Sequence, residues 1–378
     1  MKDIVFVKYG SFSHVNAKIA DLLREQFPEN RLVVLDVAED ILPDYPVESL
    51  FLRLLGFVLN PVTFIRGRHS QWDFVFRFVA TWRLVSRWIA RHLRPENTLF
   101  VFQTQSVFDA SHPDVPFFIY TDHTHRAHKR QPGGGSPAKV GGGWVEHEQS
   151  LYRRADTVFT LSRFCAESVA EDYGVPEEKV LVASTGINIA LPAEISHPAA
   201  DKPVILFVGG EWKIKGGPEL LAAFHAVKEK IPACELWLVG SRPQDLPDGV
   251  KALGRVPPAQ LAELFRKAAL LCVPSKIERA SMVALDAAAY GIPVITTPHG
   301  AGAERIRDGV TGFLVDPSDT AAFSSAILRV LGDPALAASM GRAGRKMVEE
   351  EFTWQAVGVR IGGRIRSILP SGRKSQNP

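Results

Sequence analysis

The chain has 378 residues, 46% of them hydrophobic and 22% charged, with 44 Lys and Arg against 41 Asp and Glu for a formal charge of +3. These figures exclude a disordered chain, a collagen-like repeat and a disulfide miniprotein, and the length fits two globular domains that each bury a core. A near-neutral balance predicts no general attraction to nucleic acid, so any electrostatic partner must meet a local patch. The three cysteines, Cys165, Cys234 and Cys272, are odd in number, far apart and set among apolar neighbours. That fits neither a disulfide framework nor a metal knuckle and points to a reducing compartment.

Taken in order, Ile4–Val7 is the first apolar run, too short for a signal-peptide core and read as a strand. Gly10 and Ser11 follow in Tyr9-Gly10-Ser11-Phe12-Ser13-His14, a loop where glycine lets the backbone pass close to a ligand and His14 is placed to cap the next helix. Further β-branched or aromatic runs alternate with helical patterns: Leu32–Leu35, Leu99–Phe102, Phe117–Tyr120 and Val158–Thr160, then Val204–Val208, Leu236–Val239, Leu270–Val273 and Val294–Thr296. That alternation predicts βαβ units, parallel sheets covered on both faces and an α/β fold. Residues 190–203, with Pro192, Pro198 and Pro203, read as an interdomain linker and place the boundary near residue 195. Ligands of open parallel sheets bind at the carboxyl ends of strands, so functional motifs are expected just after strands.

Residues 51–95 have the most unusual composition. Eight arginines (53, 66, 68, 77, 83, 87, 91 and 94) stand against the single acid Asp73, a local charge of +7 that leaves −4 for the rest, and Phe51, Phe57, Phe64, Trp72, Phe74, Phe76, Phe78, Trp82 and Trp88 lie among them. At about 100° per residue, Arg83, Arg87, Arg91 and Arg94 share one helix face, with Phe74, Phe78, Trp82, Val85 and Ile89 broadly on the other. Two readings stay open: a basic aromatic helix lying on an anionic membrane, and a core helix with solvated arginines. No nucleic-acid recognition module is recognisable. The longest uncharged apolar stretch, 54–65, has 12 residues and contains Pro61; a spanning helix needs roughly 20, so none is predicted.

The run 117–120 ends in Thr121-Asp122-His123-Thr124-His125-Arg126-Ala127-His128, three histidines and an acid within seven residues. The spacing gives no i, i+4 metal pair, so no metal is expected. Its place after a strand makes it an active-site loop in which His125 and His128 read as solvent-exposed loop residues. Residues 131–143 (QPGGGSPAKVGGG) cannot bury a core; they read either as a flexible loop or as a flap that folds over an acceptor.

Two stretches follow strands of the second series. Gly209-Gly210-Glu211-Trp212-Lys213-Ile214-Lys215-Gly216-Gly217-Pro218 precedes an amphipathic helix over 219–230. Glycines, a helix start and a lysine make a site for phosphate, although such a turn can equally serve only to reverse the chain. Pro274-Ser275-Lys276-Ile277-Glu278 then places an acid between strand and helix, and Asp286 sits inside that helix beside Ala284, Ala287 and Ala288. A carboxylate on such a face must find hydrogen-bond donors, which sugar and ribose hydroxyls supply and an internal cap or salt bridge supplies as well.

These motifs resemble those of the retaining glycosyltransferases of family 4, the group 1 glycosyl transferases with the GT-B fold. The likeness rests on Lys215 followed by glycine and on Glu278 and Asp286, seven residues between them, within Pro274-Ser275…Leu285-Asp286-Ala287…Gly291-Ile292-Pro293-Val294. It continues through Gly300-Ala301-Gly302-Ala303-Glu304, Asp308-Gly309-Val310-Thr311-Gly312 and Phe352-Thr353-Trp354, and covers residues 115–365. The resemblance implies two Rossmann-like doubly wound domains facing a central cleft: an acceptor-binding domain at 1–195, a nucleotide-sugar-binding domain at 196–355, and over 356–378 a helix crossing back to the first domain and then a flexible tail. It implies hexosyl transfer, with retention, from a UDP or GDP sugar and without a metal or other cofactor. Lys215 would lie at the diphosphate, Glu278 at the donor sugar and Asp286 at the ribose, with Gly209, Gly210, Lys213, Arg279, Ser281, Met282 and Gly300 completing the donor site. His123 would stand near the reacting hydroxyl with Asp122 beside it, and Gly10 and Ser11 would form the acceptor-side loop. The expected acceptor is a lipid-linked or cell-envelope glycan, met by a cytoplasmic enzyme peripheral on the inner face of the plasma membrane; transfer to a soluble acceptor and nucleotide-sugar binding without transfer are the alternatives. The sequence departs from the family pattern where Gly210 replaces an arginine, Asp286 a glutamate, Arg279 and Ser281 glycines, and Ala301 the second of a glycine pair. Lys213 can replace the missing charge only as a point charge, without the bidentate fork.

Overall fold

Runs that are apolar at every position, not at alternate ones, need cover on both faces, and the first strand is buried along Ile4–Val7 as that rule requires. The computed structural model describes residues 2–12, 14–59, 79–132, 143–195 and 201–369. Within them β1 (Asp3–Lys8), β2 (Leu32–Asp36), β3 (Thr98–Thr104), β4 (Phe117–Thr121), β5 (Thr157–Thr160) and β6 (Val180–Val182) form one sheet, ordered β2-β1-β3-β4-β5-β6. A second sheet, ordered β12-β11-β10-β7-β8-β9, is built from β7 (Val204–Val208), β8 (Glu235–Val239), β9 (Val250–Gly254), β10 (Leu270–Val273), β11 (Val294–Thr296) and β12 (Gly312–Leu314). Every adjacent pair is parallel. The fold is therefore α/β with two doubly wound sheets. All nine strands legible as apolar runs are present; the three added ones, β6, β9 and β12, lie at sheet edges, where short or lysine-interrupted segments suffice.

The described chain divides into two compact units. One takes the described residues up to Ala127, those of 143–183 and the chain from Gly358; the other takes 128–132 and the described residues of 184–357. Sequence alone places the break near residue 195, but the chain changes unit at Ala183–Ser184 because the next residues are tied into the second core. Ile187 N donates to Phe352 O at 3.1 Å, and the Trp354 indole donates to Ile187 O at 2.9 Å while covering Gly186, where a Cβ would come within 2.6 Å of the ring. The final helix, Trp354–Ile368, passes into the first unit at Gly358, and Gly362 lets it lie against Gln26. Residues 133–142, 196–200 and the tail from 370 lie outside the described residues, as do Arg66, Arg68, Arg77, Phe64, Trp72, Phe74, Phe76 and Phe78.

The helix Val79–His92 resolves part of the basic segment. Trp82, Val85, Trp88 and Ile89 are buried in the first core, Arg83, Arg87 and Arg91 are exposed, and Tyr45 stacks on Trp88 with ring centroids 4.3 Å apart. Its apolar face is core.

In each sheet the chain leaves in opposite directions from one pair of neighbouring strands, β1 and β3 in the first and β7 and β10 in the second. Crevices form at the carboxyl ends of such pairs. In the first sheet the loop after β1 is held by Asn16, 2% exposed, whose Nδ2 donates to Gly10 O at 2.7 Å while its Oδ1 accepts from Thr104 Oγ1 at 2.7 Å. His14, expected as a cap, stands at the N-cap position with φ 68° and makes no side-chain capping bond. Replacing Asn16 by Ala strips both partners from buried groups and is expected to lower stability by about 1–3 kcal/mol, measured by urea denaturation.

Candidate active site

The loops after β7, β10 and β11 meet at the switch point of the second sheet. Gly216, at φ 74°, lets the first approach the second so closely that a Cβ there would lie 1.9 Å from Pro274 O, and Lys276 N donates back to Ile214 O at 2.9 Å. Gly300, at φ 54°, does the same for the third, where a Cβ would lie 1.9 Å from Glu278 O. Thr297 Oγ1 adds a bond of 2.8 Å to Ser275 O. Only glycine fits either contact.

This packing buries Glu278, 4% exposed, against Lys215. Lys215 Nζ lies 2.9 Å from Glu278 Oε2, which also accepts from Ser275 Oγ at 3.0 Å, while Oε1 accepts from Ser281 N at 2.9 Å. Burial opposes the charge on Glu278, but the Lys215 ammonium and these donors outweigh it and hold the carboxyl below its usual range. The Lys215 stem lies over Gly209, where a Cβ would come within 2.9 Å of it. Ser281, standing where the family has glycine, adopts φ 50°, the left-handed conformation glycine takes freely, and immediately precedes the helix Met282–Ala289. Some loop amides are already used: Gly209 N bonds Val239 O, Gly216 N bonds Lys213 O and Gly217 N bonds Trp212 O. Lys215 and the start of the helix Gly217–Lys230 supply positive potential at this turn.

Asp286, one turn beyond Met282, is 5% exposed, and its Oδ1 accepts from Asn188 N at 2.8 Å. Asn188 Nδ2 lies 3.9 Å from Met282 Sδ. Burial pushes the Asp286 carboxyl up to about 7, despite the amides of Asn188 and Ile189. The structure thus brings together Lys215, Glu278, Ser281, Gly209 and Gly300, with Met282 and Asp286 further along the same helix; Gly210, Lys213 and Arg279 are exposed.

In the first unit, Thr121 Oγ1 donates to His123 O at 2.9 Å, and Asp122 and His123 are half-buried. His125 and His128, expected to be solvent-exposed, are half-buried on the short helix His125–Lys129. The loop is anchored by a buried acid that sequence did not single out: Glu148, on the helix Trp144–Arg154, accepts from His125 N at 3.2 Å, Ser106 Oγ at 2.8 Å, Tyr152 OH at 3.1 Å and the Tyr173 hydroxyl. Gly10 and Ser11 lie in the loop after β1, Ser11 exposed. In the second unit Arg305, 1% exposed, is another residue missed; it donates to Ala280 O at 3.3 Å and Ser184 Oγ at 2.8 Å and lies over the Phe352 ring. Its local context, Gly302-Ala303-Glu304-Arg305-Ile306, gave no sign of burial. Among the described residues, no group of three or more His, Cys, Asp and Glu side chains is placed to hold a metal ion.

Two family models match the chain, one described as Glycosyltransferase Family 4 over residues 60–191 and one as Glycosyl transferases group 1 over 202–333, together more than half of its length. The chain belongs to the group 1, family 4 glycosyltransferases. This glycosyltransferase-family chain is 29% identical over 222 residues to a glycogen synthase of Mycobacterium tuberculosis, an alignment covering 56% of the chain and 54% of that protein. It is 30% identical over 263 residues to a D-inositol 3-phosphate glycosyltransferase of Thermobispora bispora, covering 60% of the chain and 61% of that protein. The chain spans about half the length of the curated relatives it matches. Among solved structures, a sucrose-phosphate synthase from Thermosynechococcus elongatus superposes with a TM-score of 0.67 at 20% identity, over 97% of this chain and 99% of that one. HepE of Anabaena, solved with UDP-glucose, gives 0.65 at 14% identity over 97% and 100%. These likenesses make the fold GT-B.

The raised Asp286 carboxyl carries a pH signature. The folded chain binds a proton between about pH 4 and 7 that the unfolded chain has released, so this group favours folding at low pH and its contribution is lost as pH rises through about 7. Asp286→Asn keeps an acceptor for Asn188 N and removes the charge. It is expected to be more stable than the parent at pH 8, by on the order of 2–4 kcal/mol, with the difference shrinking toward pH 4; thermal melts across that range measure it.

Proposed function

We propose that the chain is a retaining glycosyltransferase that moves a hexose from a UDP or GDP sugar to a hydroxyl of a lipid-linked or cell-envelope glycan. The observation that carries the reading is the pair of buried Glu278 with half-buried Lys215 at the β7/β10 switch point, with strand-end loops closed on glycine. In this reading the donor diphosphate lies at Lys215, the transferred sugar at Glu278 and the ribose at Asp286. As the bond from the anomeric carbon to the diphosphate oxygen breaks, the leaving diphosphate takes the electron pair, and Lys215 and the helix start stabilise that charge. The acceptor oxygen bonds the anomeric carbon from the face the diphosphate leaves, and its proton passes to a diphosphate oxygen. No metal is required for that balance. Glu278, ionised, accepts from sugar hydroxyls, and His123 with Asp122 belongs to the reacting end. Support for the donor comes from HepE, solved with UDP-glucose, and for the acceptor from a 29% identical Mycolicibacterium smegmatis protein named as a GDP-mannose-dependent phosphatidylinositol monomannoside mannosyltransferase.

Purified protein should slowly hydrolyse a nucleotide sugar. Lys215→Ala and Glu278→Ala should each reduce this at least about 100-fold, the scale of a lost charge stabiliser. Binding without turnover for every donor tried would leave a nucleotide-sugar-binding protein.

Membrane contact belongs to the same proposal. No single helix among the described residues is long and apolar enough to cross a membrane. The helix Pro46–Leu59 nevertheless exposes Val47 (75%), Leu50 (55%), Phe51 (65%) and Leu54 (52%), spaced i, i+3, i+4 and i+7 as one apolar stripe. With Arg83, Arg87 and Arg91 exposed on the helix Val79–His92, the stripe suits an anionic surface. Co-sedimentation with anionic liposomes should fall on Phe51→Ser with Leu54→Ser, and on changing the three arginines to Gln; partition unaltered by both sets would sink the membrane reading.

A further inference from the structure

Gln131 opens a glycine-rich run, yet it is only 5% exposed and belongs to the second unit. Its Oε1 accepts the Glu278 backbone N–H at 2.6 Å and would lie 3.1 Å from a Cβ at Gly300. Because Glu278 N is a donor, the oxygen must face it, and the amide nitrogen is turned the other way. That Nε2 is buried and has no hydrogen-bond partner among the described residues. Buried donors are nearly always satisfied, and this one stands beside the acid at the centre of the site.

We infer that Gln131 binds the donor sugar, its Nε2–H donating to a hydroxyl or carbonyl oxygen on the sugar of a nucleotide sugar held at Glu278. The inference rests on the donor-site reading above. The contacts of Gln131 point to the sugar and not to the nucleotide, because they are with Glu278 and Gly300 and not with Lys215 or with Asp286 further along the helix. An amide N–H can only donate, so Gln131 reads the position of an oxygen acceptor. One side chain thus has two duties: its oxygen fixes the Glu278 backbone, and its nitrogen selects the sugar.

Calorimetric titration with UDP, UDP-glucose, GDP and GDP-mannose separates these duties in the parent chain, Gln131→Glu and Gln131→Met. The Glu variant keeps an acceptor for Glu278 N and loses the donor; the Met variant loses both. For whichever nucleotide sugar the parent binds, both variants are expected to weaken binding about tenfold, while the matching free nucleotide binds within about twofold of the parent. Unchanged sugar affinity in both variants would overturn the inference and leave the donor site intact. A loss shared equally by nucleotide and nucleotide sugar would also overturn it, marking Gln131 as scaffolding. A parent that binds none of the four ligands overturns the donor-site reading, and this inference with it.

Discussion

The second unit is organised around one ion pair, the half-buried Lys215 with the buried Glu278. Taking a carboxylate out of water costs several kcal/mol unless a countercharge and further donors meet it, and here the ammonium, a hydroxyl and a helix-start amide do so together. The partners come from two different strand-end loops, those after β7 and β10. These loops must therefore run close together, which is why Gly216 sits where a Cβ would strike a carbonyl oxygen; Gly300 lets the loop after β11 approach in the same way. The ion pair sets the geometry, and the glycines make it sterically possible.

Substitutions at these points act through backbone before they act through chemistry. Ser281 shows the tolerance limit: it holds a left-handed conformation that disfavours side chains, yet its amide is the one that meets Glu278 Oε1. Of the other departures from the family pattern, Arg279 and Gly210 are exposed, while Asp286 and Ala301 are buried. Of the family's small residues near the acid, the one whose conformation matters has been replaced by the smallest hydroxyl side chain.

Much of this was legible in the sequence, and what was missed has a common cause. Strands buried on both faces announce themselves as unbroken apolar runs, and Lys215, Glu278 and Gly300 follow such runs directly. Edge strands β6, β9 and β12 need no such run, since only one neighbour holds them. Gln131, Glu148 and Arg305 escaped because their roles come from distant partners: Glu278 for the first, Ser106 and Tyr173 for the second, Ser184 for the third. Local spacing carries no trace of those pairings. The boundary was misplaced for the same reason, because proline content marks 190–203 while the tie of Ile187 to Phe352 is visible only in the fold.

Two glutamates make the point about charge. Glu148 and Glu278 are both buried and each accepts several hydrogen bonds, yet burial pushes the Glu148 carboxyl up while Glu278 is held low. Donor number does not separate them, since Glu148 accepts from three hydroxyls and one backbone amide. The difference is Lys215. Neutral donors offset burial less than a cation does, so burial still raises the Glu148 carboxyl, while Lys215 holds Glu278 low as the anion. The first is suited to hold His123 and its neighbours in place, the second to accept from hydroxyls of a ligand, and the assignment follows from where the lysine stands.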